Sequence, residues 1–224
     1  MTGVQKIPYV VKRSARRTIA LCITRNGSLE VRAPLWADIG SIERFILSKR
    51  GWIRRKTEDV KKFADAASSI RDGGKILLFG NEHVLSLSPG TKKVSVRGGT
   101  IQCPSGSGDE IKKHMYAFLR KEARAYLSRR VVELAKRHSF SFSKLRISSA
   151  RTRWGSCSSG GTVSFSFRLV MASVPVIDSV ILHELCHTRE MNHSKRFYSH
   201  LLACDPEYKK HSKWLKDHRG VMAL

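Results

Sequence analysis

His183-Glu184-Leu185-Cys186-His187 sets two histidines four residues apart with a glutamate next to the first. On a helix, positions i and i+4 lie one above the other, so both imidazoles reach a single ion. Glu184 projects about 100° away from His183 and is free to serve as a base rather than a third ligand. The next histidine, His193, extends the pattern to HExxHx5H. Chance produces that longer pattern in on the order of one in a thousand chains of this length. Three imidazoles around one ion favour Zn2+ and leave an open fourth position for an activated water. The same spacing occurs in HExxHxxGxxH, with Glu190 here in the glycine position. Asn192, which tolerates a left-handed backbone, is the expected substitute for that glycine's turn. Glu190 is either a partner for a ligand imidazole or an exposed charge. His200 is the reserve ligand, or else a surface histidine.

These residues need elements to hold them. Ser173 and Pro175 read as the cap and first turn of a helix that carries Ile177, Val180 and Ile181 into the HExxH segment. A further helix starts near Ser194 with Phe197, Leu201 and Leu202, and Tyr208, Trp214 and Leu215 suggest a last one. Ile147 and Val163-Phe165-Phe167 read as strands on either side of Arg151-Thr-Arg-Trp-Gly-Ser-Cys157. Upstream, a long amphipathic helix from about residue 110 to Arg137 carries Ile111, Met115, Phe118, Leu119, Leu127, Val131 and Leu134. The first hundred residues are β-rich. Asn26-Gly27, Gly80-Asn81 and Gly98-Gly99 mark hairpins, and Ile7–Val11 reads as a strand. One helix starts at Asp38 or Ser41, with Ile42, Phe45, Ile46, Lys49 and Ile53 on one stripe and a basic face from Lys49 to Lys62. Trp52 reads as packing. The stretch 104–108 is linker-like. The expected organisation is therefore a β-rich region over 1–104 and a second region over 110–224, which can also form one continuous unit.

Arg153-Trp-Gly-Ser-Cys-Ser-Ser159, Arg168-Leu169, Pro175, Ile177, Asp178, the HExxH segment and Asn192-His-Ser-Lys-Arg-Phe197 follow one another in an order that resembles the YgjP-like metallopeptidases, relatives of the SprT-like zinc proteases. The close matches run over about residues 144–200. The looser N-terminal pattern extends the resemblance over most of the chain. It implies an α+β fold with a zincin-like C-terminal catalytic part, His183, His187 and His193 as ligands of one Zn2+, and Glu184 as the catalytic carboxylate. Tyr198 stands where the family often has Trp.

The expected reaction is peptide-bond hydrolysis by zinc-activated water, with Glu184 as general base passing its proton to the leaving amine. Arg153, Tyr198 and His200 are candidates for contact with substrate or the developing oxyanion. The strand around Val163–Phe167 either pairs with an extended peptide or is an ordinary core strand. Cys157 is a candidate inhibitory thiolate or a plain free thiol, Cys186 is expected buried and silent, and Asp178 caps or supports the helix.

Composition bounds the alternatives. The 224 residues hold 42 Lys+Arg against 18 Asp+Glu, a net +24. The charge is spread, with 20 basic and 9 acidic residues before position 110 and 22 and 9 from there on. Such a surface attracts polyanions, so a nucleic-acid-binding protein or a DNA-associated protease is the competing reading. No zinc-finger spacing or aromatic RNA-reader pattern supports it. A non-peptide amide hydrolase with the same ligands is a third. No apolar run is long enough for a membrane span, and the first 17 residues lack a secretory core. Five widely spaced cysteines suit reduced thiols, so a cytoplasmic location is expected. Oligomeric state is not legible.

Overall fold

The computed structural model describes residues 7–24, 26–68 and 70–218, without the side chains of 59 and 61–68. Of the basic helix face expected from Lys49 to Lys62, the Lys61 and Lys62 side chains therefore lie outside what is described. The chain is mixed α+β and forms two compact units, Met1–Asp65 and Ala66–Leu224.

Unit 1 carries β1 (Tyr9–Ser14), β2 (Ala20–Ile23), β3 (Leu29–Pro34), α1 (Ile39–Ser48) and most of α2 (Arg50–Ser68). The Asn26-Gly27 hairpin joins β2 and β3 antiparallel, while β1 lies parallel on the other side of β3. That second pairing joins segments twenty residues apart and has no local turn to announce it. Asp38, not Ser41, caps α1 and accepts the Ser41 amide at 2.8 Å. The single expected helix is divided at Lys49 (φ −107°, ψ 12°), although Ile53 still donates to the Lys49 carbonyl. Val31, Ala33, Ile42, Ile46 and Ile53 form the core, with Trp52 packed against it.

In unit 2, β4 (Lys75–Leu78) and β5 (Asn81–Ser88) form one antiparallel hairpin, and β6 (Ser95–Arg97) and β7 (Thr100–Pro104) another. A parallel β5–β7 pairing joins them in the order β4-β5-β7-β6. The tight turn at Phe79-Gly80 has positive φ at both residues. Gly80 must lack a side chain, because a Cβ there falls 2.7 Å from the Ser173 backbone. α3 (Gly108–Arg137) opens with a capping box between Ser107 and Glu110. It buries Ile111, Met115, Leu119, Ala123, Leu127, Val131 and Leu134, a spacing of three or four that keeps one face inward. The linker-like stretch 104–108 thus lies inside unit 2, because β7 and α3 contribute Ile101, Cys103 and Met115 to one core.

β8 (Lys144–Ser148), β9 (Gly155–Cys157) and β10 (Thr162–Ser166) follow in the order β8-β10-β9. Of the two readings of the Val163–Phe167 strand, the core strand holds. β10 lies between two partners, with no free edge for a peptide, and Phe167 already belongs to a 3-10 segment, Phe167–Met171. The molecule closes with α4 (Val174–Cys186), α5 (Lys195–Cys204) and α6 (Tyr208–Asp217). α4 is pinned to α3 by a two-pronged ion pair, in which Arg130 Nε and Nη2 donate to Asp178 at 2.8 and 2.5 Å. No described helix is long and apolar enough to cross a membrane.

Candidate metal centre

α4 is apolar nearly throughout, so its final turn is carried into the core. Leu182, Glu184 and Leu185 are buried, and His183 is half-buried beside them. His187 is the C-terminal cap residue. The chain then leaves the helix through hydrogen-bonded turns, with the amides of Arg189 and Glu190 both donating to the Cys186 carbonyl. No left-handed residue is used: Asn192 has negative φ, and its Oδ1 accepts the Ser194 amide at 3.1 Å instead. Ser194 in turn caps α5 through the Phe197 amide. This return brings His193 back over the helix end.

The result is a cluster of three imidazoles. The ligand atoms of His183, His187 and His193 all lie within 4.8 Å of one another. Among the described residues it is these three that are so grouped; His200, Glu190 and Cys157 are not part of it. The Nε2 atoms of His183 and His193 are 3.2 Å apart. Two nitrogens at 2.0–2.1 Å from one tetrahedral ion sit about 3.3–3.4 Å apart, so this pair has the separation of zinc ligands. His187 Nδ1 lies 3.1 Å from the Glu190 carbonyl, which fixes the proton on that nitrogen and leaves Nε2 as the free donor. Glu190 thus holds the His187 ring with its backbone, while its carboxylate faces Arg196 at 3.9 Å. Burial, followed by the neighbouring imidazoles, holds the His183 pKa down to about 4. Burial likewise lowers that of His187. Uncharged imidazoles are the form that ligates, so the donor set, its spacing and the lowered pKa values of His183 and His187 fit a zinc ion.

Phe197 fills the space behind the three rings, with its centroid 5.0, 4.5 and 4.7 Å from those of His183, His187 and His193. It is fully buried and packs against all three rings. The sequence marked it only as a core residue of the next helix.

Glu184 is 6% exposed. Burial pushes its pKa up to about 7, opposed by the charge of Arg153. The backbone of Gly155 lies directly on this carboxyl: a Cβ there falls 2.6 Å from both Cγ and Oε1 of Glu184. Glycine is required because β9 crosses the glutamate at backbone distance. Cys157, two residues on, has its pKa raised by burial and then by Glu184, and its Sγ donates to the Ser158 carbonyl at 3.4 Å. Cys186 is fully buried, its pKa pushed up to about 12 by burial, so its thiol stays protonated.

Of the three substrate-contact candidates, Arg153 is exposed within electrostatic reach of Glu184. Tyr198 is 36% exposed, with its ring 6.1 Å from that of His193. His200 lies partly buried on α5.

A profile of the YgjP-like metallopeptidase domain matches residues 17–218. The chain belongs to the YgjP-like metallopeptidase family. No curated protein and no solved structure matches it. The family match spans the β-rich N-terminal strands from residue 17 as well as the histidine cluster, so the resemblance carried by residues 144–200 extends over nearly the whole chain. For this YgjP-like protein the match gives the general class, a metallopeptidase. The assignment of individual roles rests on the geometry.

Proposed function

We propose that the protein is a zinc-dependent peptidase, with His183, His187 and His193 as the metal ligands and Glu184 as the general base. The observation that carries this reading is a buried, acid-weakened carboxyl next to a cluster of three imidazoles, all delivered by the end of one helix and its return. A zinc ion held there would supply Lewis acidity, polarising the scissile carbonyl and making a water acidic enough to attack near neutral pH. Glu184 accepts the proton of that water on its carboxylate and passes it to the departing amine nitrogen. A pKa near 7 suits both halves of the exchange, since the same group must take and return the proton. Gly155 keeps the carboxylate in a fixed position. An extended peptide is aligned by the outer edge of β9, because β10 occupies the inner edge and no side chain at Gly155 intervenes.

Elemental analysis of purified protein tests the metal, and cleavage of an unfolded protein tests the chemistry. We expect about one zinc per chain, lost in His183→Ala and His193→Ala. In Glu184→Gln the zinc remains while cleavage falls by about a thousandfold or more. Zinc retained by His193→Ala moves the third ligand elsewhere. A folded wild type without metal ends the peptidase reading.

A further inference from the structure

A second cluster of like groups lies in unit 2, outside the histidines. Arg168, in the 3-10 segment, is only 3% exposed. Its Nη1 donates to the Ser149 carbonyl at 3.1 Å, and its guanidinium lies 4.4 Å from the Phe167 ring and 5.5 Å from the Tyr116 ring. Arg120, exposed on α3, stands over the same Phe167 ring at 5.5 Å. Arg151, exposed in the β8–β9 loop, lies two residues beyond the Ser149 carbonyl that Arg168 binds. Burial and then the charge of Arg151, with a smaller part from Arg120, hold the Arg168 pKa below its ordinary value, against a raising effect from Tyr116. Arg120 and Arg168 share the Phe167 ring and the charge of Arg151 acts on Arg168, so the three repel one another and an anion placed among them relieves that repulsion. The planar fork of arginine is shaped to receive a carboxylate.

The loop that carries Arg151 also leads to the catalytic carboxyl. Ser166 Oγ donates to the Ala150 carbonyl and the Ser166 amide to the Trp154 carbonyl, each at 2.8 Å, so the loop is laced to the end of β10. Its far end is Gly155, against Glu184, and Arg153 within it acts on the same glutamate. A compact site at one end of so short a loop suits a single anionic group on a chain whose backbone reaches the other end.

We propose that Arg120 and Arg151, backed by Arg168, form a subsite for a substrate carboxylate, either an Asp or Glu side chain or a free peptide C-terminus. The proposal rests on the peptidase reading for its substrate class. Its test reads binding rather than turnover, so the two fail separately.

Three fluorescently labelled hexapeptides are titrated into metal-free protein and followed by anisotropy. One carries glutamate and an amidated C-terminus, one glutamine and an amide, and one glutamine and a free acid. The proteins are wild type, the double variant Arg120→Gln/Arg151→Gln, and the charge-matched double variant Lys92→Gln/Lys93→Gln. Arg168 is left intact because it is buried. One or both acidic peptides should bind wild type about tenfold tighter than the neutral one. That advantage should fall about tenfold in the arginine variant and stay within about twofold in the lysine variant. Which acidic peptide shows it identifies the carboxylate. No advantage in wild type overturns the proposal, as does an equal loss in the lysine variant, which would assign the effect to the diffuse +24 charge. It is also overturned if a labelled oligothymidine binds tighter than the peptides and loses its affinity in the same arginine variant, since the cluster then serves a phosphate backbone. Cleavage of the same peptides by zinc-loaded protein reports separately on the peptidase reading.

Discussion

Each compact unit buries one glutamate to nearly the same depth, Glu30 at 7% exposure in unit 1 and Glu184 at 6% in unit 2. Their chemistry is opposite. Glu30 sits between Lys12 Nζ at 2.7 Å and Arg32 Nε at 2.8 Å, and those hydrogen bonds hold its pKa below the ordinary carboxylate range. Glu184 is opposed only by the charge of Arg153, so burial prevails and its pKa rises to about 7. Unit 1 therefore keeps its carboxylate charged at neutral pH as part of a small sheet. Unit 2, with the much larger core, keeps a carboxyl that can change its protonation near neutral pH. A buried acid turns into a tool or a tie according to whether cations meet it.

Beyond the loss of the carboxylate itself, the largest expected effect comes from adding a side chain at Gly155. Gly155→Ala puts a Cβ 2.6 Å from the carboxyl oxygen, so either the strand or the glutamate must move. We expect kcat/KM for peptide cleavage to fall by roughly a hundredfold or more, with zinc content unchanged in elemental analysis. Unaltered cleavage would show that the strand–glutamate contact is incidental.

Charge reversal of stability comes next. Because its folded pKa lies above its ordinary value of 4.5, Glu184 favours the folded state fully below pH 4.5 and loses that contribution as the pH rises through about 7. Metal-free Glu184→Gln should then exceed metal-free wild type in stability by about 2–3 kcal/mol at pH 8, and the difference should vanish near pH 4. Urea unfolding at the two pH values measures it. A variant less stable than wild type at pH 8 would mean that the carboxylate is better paired than its surroundings indicate.

Glu30→Gln should act with the other sign and more weakly. A group with a lowered pKa contributes stability above its ordinary value of 4.5, and that contribution disappears as the pH falls through the folded value. The variant should be modestly less stable than wild type at pH 7, by urea unfolding, and equal to it in acid. If both glutamine variants shift stability in the same direction at neutral pH, the contrast between the two units fails.

Much of this molecule was legible as local pattern. The Asn26-Gly27, Gly80-Asn81 and Gly98-Gly99 hairpins, the α3 stripe and the Ser194 cap follow from rules acting over a few residues. The HExxHx5H spacing likewise put three imidazoles within reach of one another, because a helix fixes the first two and a short return limits the third. What stayed hidden was non-local or belonged to the backbone. The parallel β1–β3 and β5–β7 pairings have no turn to signal them. The short β9, three residues inside the Trp-Gly-Ser-Cys motif, offers no alternation to read. The Asn192 turn was misjudged because tandem amide donors to Cys186 carry the chain out of the helix without a left-handed residue.

The sequence by itself determined which side chains can meet an ion, which helices present them and which family the motifs resemble, since residue type and spacing along a helix set those. Only the tertiary structure decided what surrounds them. It laid Gly155 on Glu184, the Glu190 carbonyl on His187, Phe197 behind the imidazoles and Arg120 beside Arg168. The physical reason is that pKa and ligand orientation depend on desolvation and on neighbours distant in sequence, and packing alone brings those together.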